Sequence, residues 1–367
     1  MKFTITKEAF LDVLQQVQHV VSSRATLPIL SNVLIEAASG SIRLTATDLD
    51  VGVSAVISAD VQQDGATTLP VKRLASIVRE LPASEVSVEV GSDNQASIKS
   101  GPSFFKIIGL GEEEFPPLPT FDDGKEYKIP QALLLNALKK TSYAISNDET
   151  RYVLNGVYVS FKEGKVTFVA TDGRRLAMVE NDLEYPASNE ADIIVPAKAV
   201  AELQRMLSDD GDVHVQLSGS QISFEIDGSL IVSKLIEGNY PNYKQVIPGQ
   251  RKERLSISRE DFLNTIRRVS LLTSESSNSV KLSFSQGSVD VQANSKEIGN
   301  AEESIPADYN GEEFSIAFNP TFLMAPLKNL NEETIYLDLI DSMSPGVVRI
   351  DESFLYVIMP MRVTQQK

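Results

Sequence analysis

The sequence predicts an α+β protein of three repeated domains, each with two helices packed on antiparallel sheets. The chain has 367 residues, and at roughly 100 to 200 residues per domain that length gives two or three domains. A set of landmarks recurs three times along the chain, and the stretches between predicted helices alternate apolar and polar residues. The repeats and the alternation together predict the fold class.

Each repeat opens with a short alternating strand followed by an amphipathic helix. The three openings are Phe3-Thr4-Ile5, Tyr127-Lys128-Ile129 and Leu255-Ser256-Ile257, each with an apolar residue seven positions after its first residue. In the first copy the apolar residues that follow have helical spacing: Phe10, Leu11, Leu14, Val17 and Val21. This spacing predicts helices over 7–21, 131–145 and 259–272.

Three more landmarks keep the same order. Leu44–Asp48 matches Phe168–Asp172 and, more weakly, 291–294. The dipeptides Leu69-Pro70, Val195-Pro196 and Asn319-Pro320 each precede a predicted second helix, over 71–81, 197–207 and 321–330. Proline suits the first turn of a helix because its φ is fixed and its missing N–H is not needed there. Phe115-Pro116, Tyr240-Pro241 and Met359-Pro360 close the three units.

The landmarks place the domain boundaries at 1–124, 125–250 and 251–367. The junctions are the polar, glycine-containing stretches Asp122-Asp123-Gly124 and Gly249-Gln250-Arg251. Alternating segments between Gly, Asn and Asp turns predict strands at 41–47, 86–90, 157–161, 166–170, 214–217, 222–226 and 334–339. Strands are therefore expected to outnumber helices in every repeat.

The composition excludes several classes of protein. The chain has no cysteine and only two histidines, His19 and His214, which excludes disulfides, thiolate nucleophiles and cysteine-based metal sites. No GxGxxG, Walker A, HExxH or GxSxG motif occurs, so we expect no cofactor, no metal and no enzymatic activity. The sequence lacks a long apolar run or a signal-peptide pattern at Met1-Lys2-Phe3-Thr4, and we expect a cytoplasmic protein.

Charge is distributed unevenly between helices and the rest of the chain. The formal net charge is -16, but the six predicted helical windows together carry +6, so the remaining residues carry -22. Basic helices gathered on one surface would form a face for a phosphate backbone. No recognition-helix or aromatic-interleaved basic motif is present, so we expect contacts independent of base sequence.

Asp48 and Asp172 suggest an alternative function. Two carboxylates can serve as acid and base in a carbohydrate hydrolase. The repeats, however, place both residues at equivalent strand ends, where Asp commonly accepts hydrogen bonds from turn N–H groups. The turn role is the favoured interpretation, and a scaffold protein that never meets DNA remains a further alternative.

Several motifs resemble the bacterial DNA polymerase III β subunit family, the DNA sliding clamps, over essentially the whole chain. They are Met1–Thr4, Arg24–Leu30, Leu44–Leu49, Arg151–Gly156, Ala170–Leu176 and Val357–Arg362. The resemblance implies a head-to-tail homodimer in which six domains form a ring around duplex DNA, with helices lining the hole and strands outside. The ring would slide and act as the processivity factor of replication.

The resemblance also implies three sets of functional residues. The DNA-facing positions are Arg24, Lys72, Arg73, Tyr152, Lys198 and Arg205. The pocket for partner peptides comprises Leu154, Thr171, Gly173, Arg174, Arg175, Leu176, Pro241, Val246, Val357, Met359, Pro360, Met361 and Arg362. The dimer interface uses Phe105, Leu271 and Leu272 as apolar anchors, with Lys72 or Arg73 opposite Glu297, Glu302 and Glu303.

The implied partners are double-stranded DNA, a second copy of the chain, the replicative polymerase, a clamp loader, and other polymerases, ligase and mismatch-repair proteins that dock through short peptides. No membrane partner is expected. The sequence departs from the family where His, an aromatic residue and Asp are common, at Arg174, Val153 and Asn242. Gly299 and Asn300 stand at positions that are often acidic, and the tail after Arg362 is longer than usual and is hypothesised to shield the pocket.

Overall fold

The computed structural model describes residues 1–21, 27–82, 84–121, 123–274 and 278–362. Arg24, Asp122 and the tail after Arg362 therefore lie outside the described residues. The helices within these ranges are α1 (Lys7–Gln18), α2 (Val71–Glu80), α3 (Gln131–Thr141), α4 (Ala197–Met206), α5 (Arg259–Val269) and α6 (Pro320–Asn329). All six predicted helices are confirmed, as is the expectation of two in each repeat.

The strands outnumber the helices in every repeat, as predicted. They are β1 (Lys2–Thr6), β2 (Asn32–Ala38), β3 (Ser41–Thr47), β4 (Val51–Ser58), β5 (Asp60–Gln63), β6 (Gly65–Pro70), β7 (Glu85–Val90), β8 (Gln95–Ser100), β9 (Ser103–Ile108), β10 (Lys125–Pro130), β11 (Gly156–Lys162), β12 (Lys165–Thr171), β13 (Arg175–Asp182), β14 (Ala191–Pro196), β15 (Asp212–Ser218), β16 (Gln221–Ile226), β17 (Ser229–Lys234), β18 (Glu253–Ser258), β19 (Val280–Ser285), β20 (Ser288–Ser295), β21 (Gly299–Pro306), β22 (Phe314–Phe318), β23 (Thr334–Leu339), β24 (Gly346–Arg349) and β25 (Phe354–Ile358).

The described residues form two compact units. Unit 1 comprises residues 1–135 and 195–235, and unit 2 comprises 136–194 and 236–367. Each unit thus combines a terminal repeat with part of the central one. The predicted domain boundaries at 124 and 250 follow the sequence repeats rather than these units, and they stay a prediction.

Unit 1 contains a five-stranded sheet in the order β5-β1-β7-β8-β9 and an eight-stranded sheet in the order β10-β15-β16-β17-β4-β3-β2-β6. Neighbouring strands in both sheets pair antiparallel, and β17 joins β4 with Ile231 opposite Val53. Strands from the first and central repeats therefore share one sheet. Phe3 and Phe10 meet edge to face in the core, with ring centroids 5.9 Å apart.

Unit 2 contains an eight-stranded sheet in the order β14-β11-β12-β13-β25-β24-β23-β18 and a four-stranded sheet in the order β21-β20-β19-β22. Here β13 joins β25 with Leu176 opposite Val357, so strands of the central and third repeats also share a sheet. The sequence repeats did not predict this sharing, because alternation within a strand gives its faces and not its neighbours.

Helix α2 shows how the basic helices form. Val71, Leu74, Ala75 and Val78 are buried along one side, at the i, i+3, i+4, i+7 spacing of an amphipathic helix. The lysine and arginine side chains project from the opposite side. The predicted helix starts at 71 and 197 are right, and the one at 321 is one residue late. Pro320 lies in the first turn of α6 as predicted, whereas Pro70 and Pro196 are N-cap residues, one position before the first turn.

Candidate functional site

An apolar cluster on the eight-stranded sheet of unit 2 brings together the strand ends that the sequence assigned to a partner pocket. Leu176 on β13 and Val357 on β25 are paired in register and are each only 2% exposed. They pack with Val169, Val347 and Leu355. Tyr158, Met178, Tyr240, Tyr243 and Ile247 lie partly buried against the cluster. Sequence analysis had named Leu176 and Val357 but had missed the tyrosines and Val347.

Three exposed apolar side chains lie close to residues of this cluster along the chain. Val246 is 50% exposed, Met359 44% and Met361 36%. The N–H of Met359 donates to the Arg174 carbonyl at 3.0 Å, and that of Met361 to the Ala317 carbonyl at 2.7 Å. These bonds fix the backbone that carries the methionines. The flexible thioether side chains remain free to adapt to different apolar partners.

The turn between β12 and β13 is held by its own side chains. The hydroxyl of Thr171 donates to the Arg175 carbonyl at 2.6 Å and accepts from the N–H of Gly173 at 3.1 Å. Asp172 accepts from the N–H groups of Arg174 and Arg175 at 2.9 and 3.1 Å. Gly173 has a φ of +83°, a conformation that glycine adopts without steric cost.

Two arginines hold this turn in place. The Nε of Arg175 lies 3.0 Å from the Asp172 carboxylate, and its guanidinium lies 4.4 Å from the centre of the Phe322 ring. Arg151 donates through Nε to Asp148 and through Nη1 to the Asp172 carbonyl, both at 2.9 Å. Arg151 therefore joins the segment that ends at the buried Leu154 to the turn. The sequence motif Arg151–Gly156 includes this arginine but does not predict its role.

A polar network on β11 supports the tyrosines. Every second residue of this strand lies on the same face, and here these residues are Tyr158, Ser160 and Lys162. All three donate to the Asp192 carboxylate, at 2.8, 2.7 and 2.5 Å. Burial and the hydrogen bond to Asp192 raise the pKa of Tyr158 to about 12. Tyr158 stacks on Tyr240 with ring centroids 4.9 Å apart. The period of two along β11 could have predicted this face from the sequence.

The predicted DNA-facing residues have different surroundings. Lys72 and Arg73 are exposed on α2, and Tyr152 is 58% exposed. Arg205 pairs at 2.7 Å with Glu202, whose side chain is 3% exposed. Lys198 is partly buried and donates to the Asp48 carboxylate and, at 2.6 Å, to the Val20 carbonyl. Arg24 lies outside the described residues.

The basic helix surface is smaller than the charge count predicted. Lys140 is 7% exposed and pairs at 3.1 Å with Glu332, and Arg268 pairs with Glu303. A count over helical windows adds charges without showing which face carries them. Of the residues that the resemblance assigns to DNA, Lys72 and Arg73 are exposed and, within the described part of the chain, lie in no ion pair.

The whole chain matches the models of one protein family. The N-terminal, central and C-terminal domains of the DNA polymerase III beta subunit match residues 1–119, 128–242 and 244–362. The beta sliding clamp of Chlamydia muridarum is 37% identical over 99% of this chain and 99% of its own. The chain belongs to the DNA polymerase III beta subunit family.

Solved structures of sliding clamps have the same fold. The DNA polymerase sliding clamp of Bacillus subtilis superposes with a TM-score of 0.94 at 33% identity and 99% coverage of both chains. The clamp of Bartonella birtlesii, solved bound to griselimycin, gives a TM-score of 0.94 at 36% identity, with 99% of this chain and 100% of that one covered. As a beta subunit, the chain is a non-catalytic processivity factor of DNA replication.

The hydrolase alternative loses its support in this beta subunit. The Asp48 carboxylate accepts from the N–H groups of Asp50 and Val51 at 3.1 and 2.8 Å, as Asp172 does in its own turn. Burial opposes ionisation of Asp48, but the hydrogen bond from Lys198 and the turn amides outweigh it and lower the pKa of the carboxyl. Both aspartates therefore have the predicted turn role.

The predicted interface residues of the beta subunit lie at or near sheet edges. Phe105 is 39% exposed on β9, an edge strand of unit 1, and Leu271 is 76% exposed in unit 2. Leu272 is half-buried and Glu297 is exposed. On the edge strand β21, Glu302 accepts from Gln292 at 2.8 Å and Glu303 from Thr265 at 2.9 Å.

Further structural findings concern metals and membranes. Among the described residues, no group of three or more His, Asp or Glu side chains is placed to hold a metal ion. No helix in the described part of the chain is long and apolar enough to cross a membrane.

Proposed function

We propose that this beta subunit forms a ring-shaped homodimer in the bacterial cytoplasm, encircles duplex DNA and slides along it without reading base sequence. The observation that carries the proposal is the match to sliding clamps along the full length of the chain. Encirclement would make processivity topological, because the ring leaves DNA only at an end or through an open interface.

Weak contacts to the phosphate backbone suit such a ring. Lys72 and Arg73 lie exposed on α2, whereas the charges of Lys198 and Arg205 are offset by Asp48 and Glu202. Partial neutralisation limits the attraction to DNA, so the ring can move between neighbouring phosphates. Tyr152, and Arg24 from the resemblance, complete the proposed DNA-facing set.

Ring closure would pair the edge of unit 1 in one copy with the edge of unit 2 in the other. Phe105 on β9 and Leu271 supply exposed apolar area, and unpaired edge strands are natural sites for a second chain to add to a sheet. The two contacts are heterologous, and the proposed rotation closes them into a dimer. Glu297, Glu302, Glu303 and Leu272 would flank the contact.

The apolar cluster of Leu176 and Val357 would anchor short peptides of partner proteins. The clefts that take such anchors are typically apolar with a few placed polar groups, as here, where Arg174 and Arg362 are exposed beside the cluster. The proposed partners are the polymerase catalytic subunit, the clamp loader, other polymerases, ligase and mismatch-repair proteins. One shared pocket would make their binding mutually exclusive on each copy.

A processivity assay tests the DNA contacts. The double variant Lys72→Glu, Arg73→Glu should shorten the products made by the cognate polymerase per binding event by roughly threefold or more, because two attractions become repulsions. Because one of these residues is also expected at the dimer interface, sedimentation equilibrium must first show that the variant is still a dimer. The control variant Lys128→Glu, Lys252→Glu reverses two exposed lysines that lie in ion pairs, one on β10 and one just before β18. Equal product lengths for the two variants would contradict the assignment of α2 to the DNA side.

A further inference from the structure

A cavity of about 760 Å³ lies beside residues 248–251 on the eight-stranded sheet of unit 2. Its wall includes Arg254 on β18, Asp338 on β23 and Arg349 on β24. Arg254 stands opposite Asp338 across the strands, and Arg349 stands opposite Tyr336, two residues away. None of these residues belongs to the sets assigned above to DNA, partner peptides or the dimer interface.

Three charged side chains meet on the wall of this cavity, with Asp338 between Arg254 and Arg349. Asp338 is 7% exposed and receives Nε and Nη2 of Arg254 at 2.5 and 2.7 Å. Nε of Arg349 lies 3.2 Å from the same carboxylate. One buried carboxylate thus orders two guanidinium groups, which leaves these three side chains with a surplus of one positive charge.

Both arginines keep unused hydrogen-bond donors. A guanidinium has five N–H groups in a planar fork. Asp338 accepts two hydrogen bonds from Arg254, whereas Arg349 is ion-paired with it at 3.2 Å. Among the described residues, no further acceptor is bonded to either guanidinium. The Tyr336 ring lies 5.5 Å from the Arg254 guanidinium and helps to hold it in one orientation. Donors fixed in advance bind an anion at little cost in side-chain entropy.

The other charged groups on the wall are one arginine, Arg251, and two carboxylates, Asp351 and Glu352, so the formal charges of the whole wall sum to zero. Arg251 adds a third guanidinium at the exposed side, where Glu352 also lies. Asp351 accepts from the N–H groups of Ser353 and Phe354 at 2.8 and 3.2 Å, so one of its oxygens serves its own turn. Anion binding here therefore relies on the N–H donors of Arg254 and Arg349 and not on the net charge of the wall.

The cavity adjoins the apolar cluster through a shared residue. Val347 lines the cavity and also packs in the cluster with Leu176 and Val357. A peptide anchored on the cluster would therefore have carboxylate-binding donors next to it. Planar guanidinium groups match carboxylates in geometry as well as charge.

We propose that this cavity binds carboxylate groups of an acidic polypeptide segment, with Arg254 and Arg349 as the donors. The identification of that segment with part of a docked partner rests on the function proposed above. The binding of carboxylates by the cavity does not depend on it.

Calorimetric titration with small probes tests the cavity by itself. Acetyl-Glu-Glu-Glu-amide is titrated into the intact protein at low salt, with acetyl-Gln-Gln-Gln-amide as the neutral probe. We expect only the glutamate peptide to bind, and Arg349→Gln to weaken it by about tenfold, as for the loss of one charged hydrogen-bonded pair. Asp338 keeps both bonds from Arg254 in this variant, and its thermal midpoint is measured to confirm folding.

Two controls make the test decisive. Arg267→Gln removes an exposed arginine of α5 and should leave binding unchanged, while the exposed Arg251→Gln gives a second cavity variant that does not disturb Asp338. Binding that is unaffected in both cavity variants would overturn the proposal. Glutarate or inorganic phosphate binding as tightly as the peptide would show a small-anion site instead of a polypeptide site.

A partner-binding assay separates this proposal from the function it extends. The cognate polymerase is titrated against Val246→Glu, at the apolar pocket, and against Arg349→Gln. Loss of binding in both variants is the expected result. Loss of binding in Val246→Glu alone, together with unchanged binding of the glutamate peptide in Arg349→Gln, would support the apolar pocket and contradict the proposed role of the cavity.

Discussion

Lys198 and Asp48 form an ion pair across 150 residues of sequence. Lys198 lies in the first turn of α4. Asp48 directly follows β3 and accepts hydrogen bonds from two backbone N–H groups of its own turn. The pair ties a helix of the central repeat to a strand end of the first repeat. It also occupies a lysine that the sequence assigned to DNA.

Unit 2 has an equivalent acidic turn, but its carboxylate is paired with a different cation. Asp172 matches Asp48 in the repeat, but its cation is Arg175, three residues later in the same turn. The residue that matches Lys198 is Phe322, and Arg175 lies over its ring. The acidic turn is therefore retained in both units, while the cation comes from the helix in one and from the strand in the other.

Replacing Asp48 should destabilise the protein more than replacing its exposed neighbour. We expect Asp48→Ala to lower the free energy of unfolding by about 2 kcal/mol, because two turn amides and Lys198 lose their acceptor. Asp50→Ala removes an exposed pair with Lys234 and should cost at most about 1 kcal/mol. Urea denaturation at neutral pH measures both, and equal losses would contradict the role given to Asp48.

The contribution of the Asp48 charge should disappear in acid. The pKa of Asp48 is lower in the folded protein than its ordinary value of 3.8, so the unfolded chain binds the proton more readily. The stabilisation is present above 3.8 and is lost as the pH falls through the lower folded pKa. The difference in unfolding free energy between the wild type and Asp48→Asn should therefore shrink over that range; a constant difference would exclude a charge effect.

Gly173→Ala should weaken partner binding as well as stability. A Cβ at Gly173, at a φ of +83°, would lie 2.8 Å from Nη1 of Arg151 and displace it from the turn. Gly228 has a φ of +81°, and a Cβ there would meet no atom within 4 Å. Gly228→Ala should therefore lower the free energy of unfolding only by the cost of the left-handed backbone conformation, about 1 kcal/mol. Thermal unfolding and polymerase binding distinguish the two, and unchanged binding in Gly173→Ala would show that the turn does not shape the pocket.

Carboxylates placed at the rim of the apolar cluster should weaken partner docking without unfolding the protein. Val246→Glu and Met359→Glu alter side chains that are 50% and 44% exposed, and each should weaken polymerase binding by at least about tenfold by introducing a charge that must be desolvated. Val56→Glu, at 46% exposure, is the matched control. Fluorescence anisotropy with a labelled polymerase segment reports the affinities; similar affinities for all three variants would rule out the pocket.

The dimer should depend on Leu271. Leu271→Asp introduces a charge at a side chain that is 76% exposed and should shift the protein towards monomers, because a buried unpaired charge opposes association. Met343→Asp, at 68% exposure, should remain dimeric. Sedimentation equilibrium gives the dissociation constants of both, and a dimer as tight in Leu271→Asp as in the control would place the interface elsewhere.

The sequence predicted the local features well because local physics determines them. The alternation at 41–47 gave β3 at its observed bounds, and the repeat gave both aspartate turns. The sequence did not predict pairings between distant residues. No local pattern shows that Lys198 reaches Asp48, that Lys140 is buried against Glu332, or that β17 pairs with β4. The sequence named Leu176 and Val357 of the apolar cluster, whereas Val347 and Tyr158 are brought to it only by the sheet order; the use of this cluster as a partner pocket stays a prediction.

Retention on circular DNA tests encirclement most directly. The protein is loaded by its cognate loader onto nicked circular DNA, and retention is measured at about 0.5 M salt, where phosphate contacts are strongly weakened, before and after the circle is cut. We predict that the protein stays on the circle and is lost from the linear form. Equal loss from both forms would contradict the sliding ring and indicate ordinary electrostatic binding.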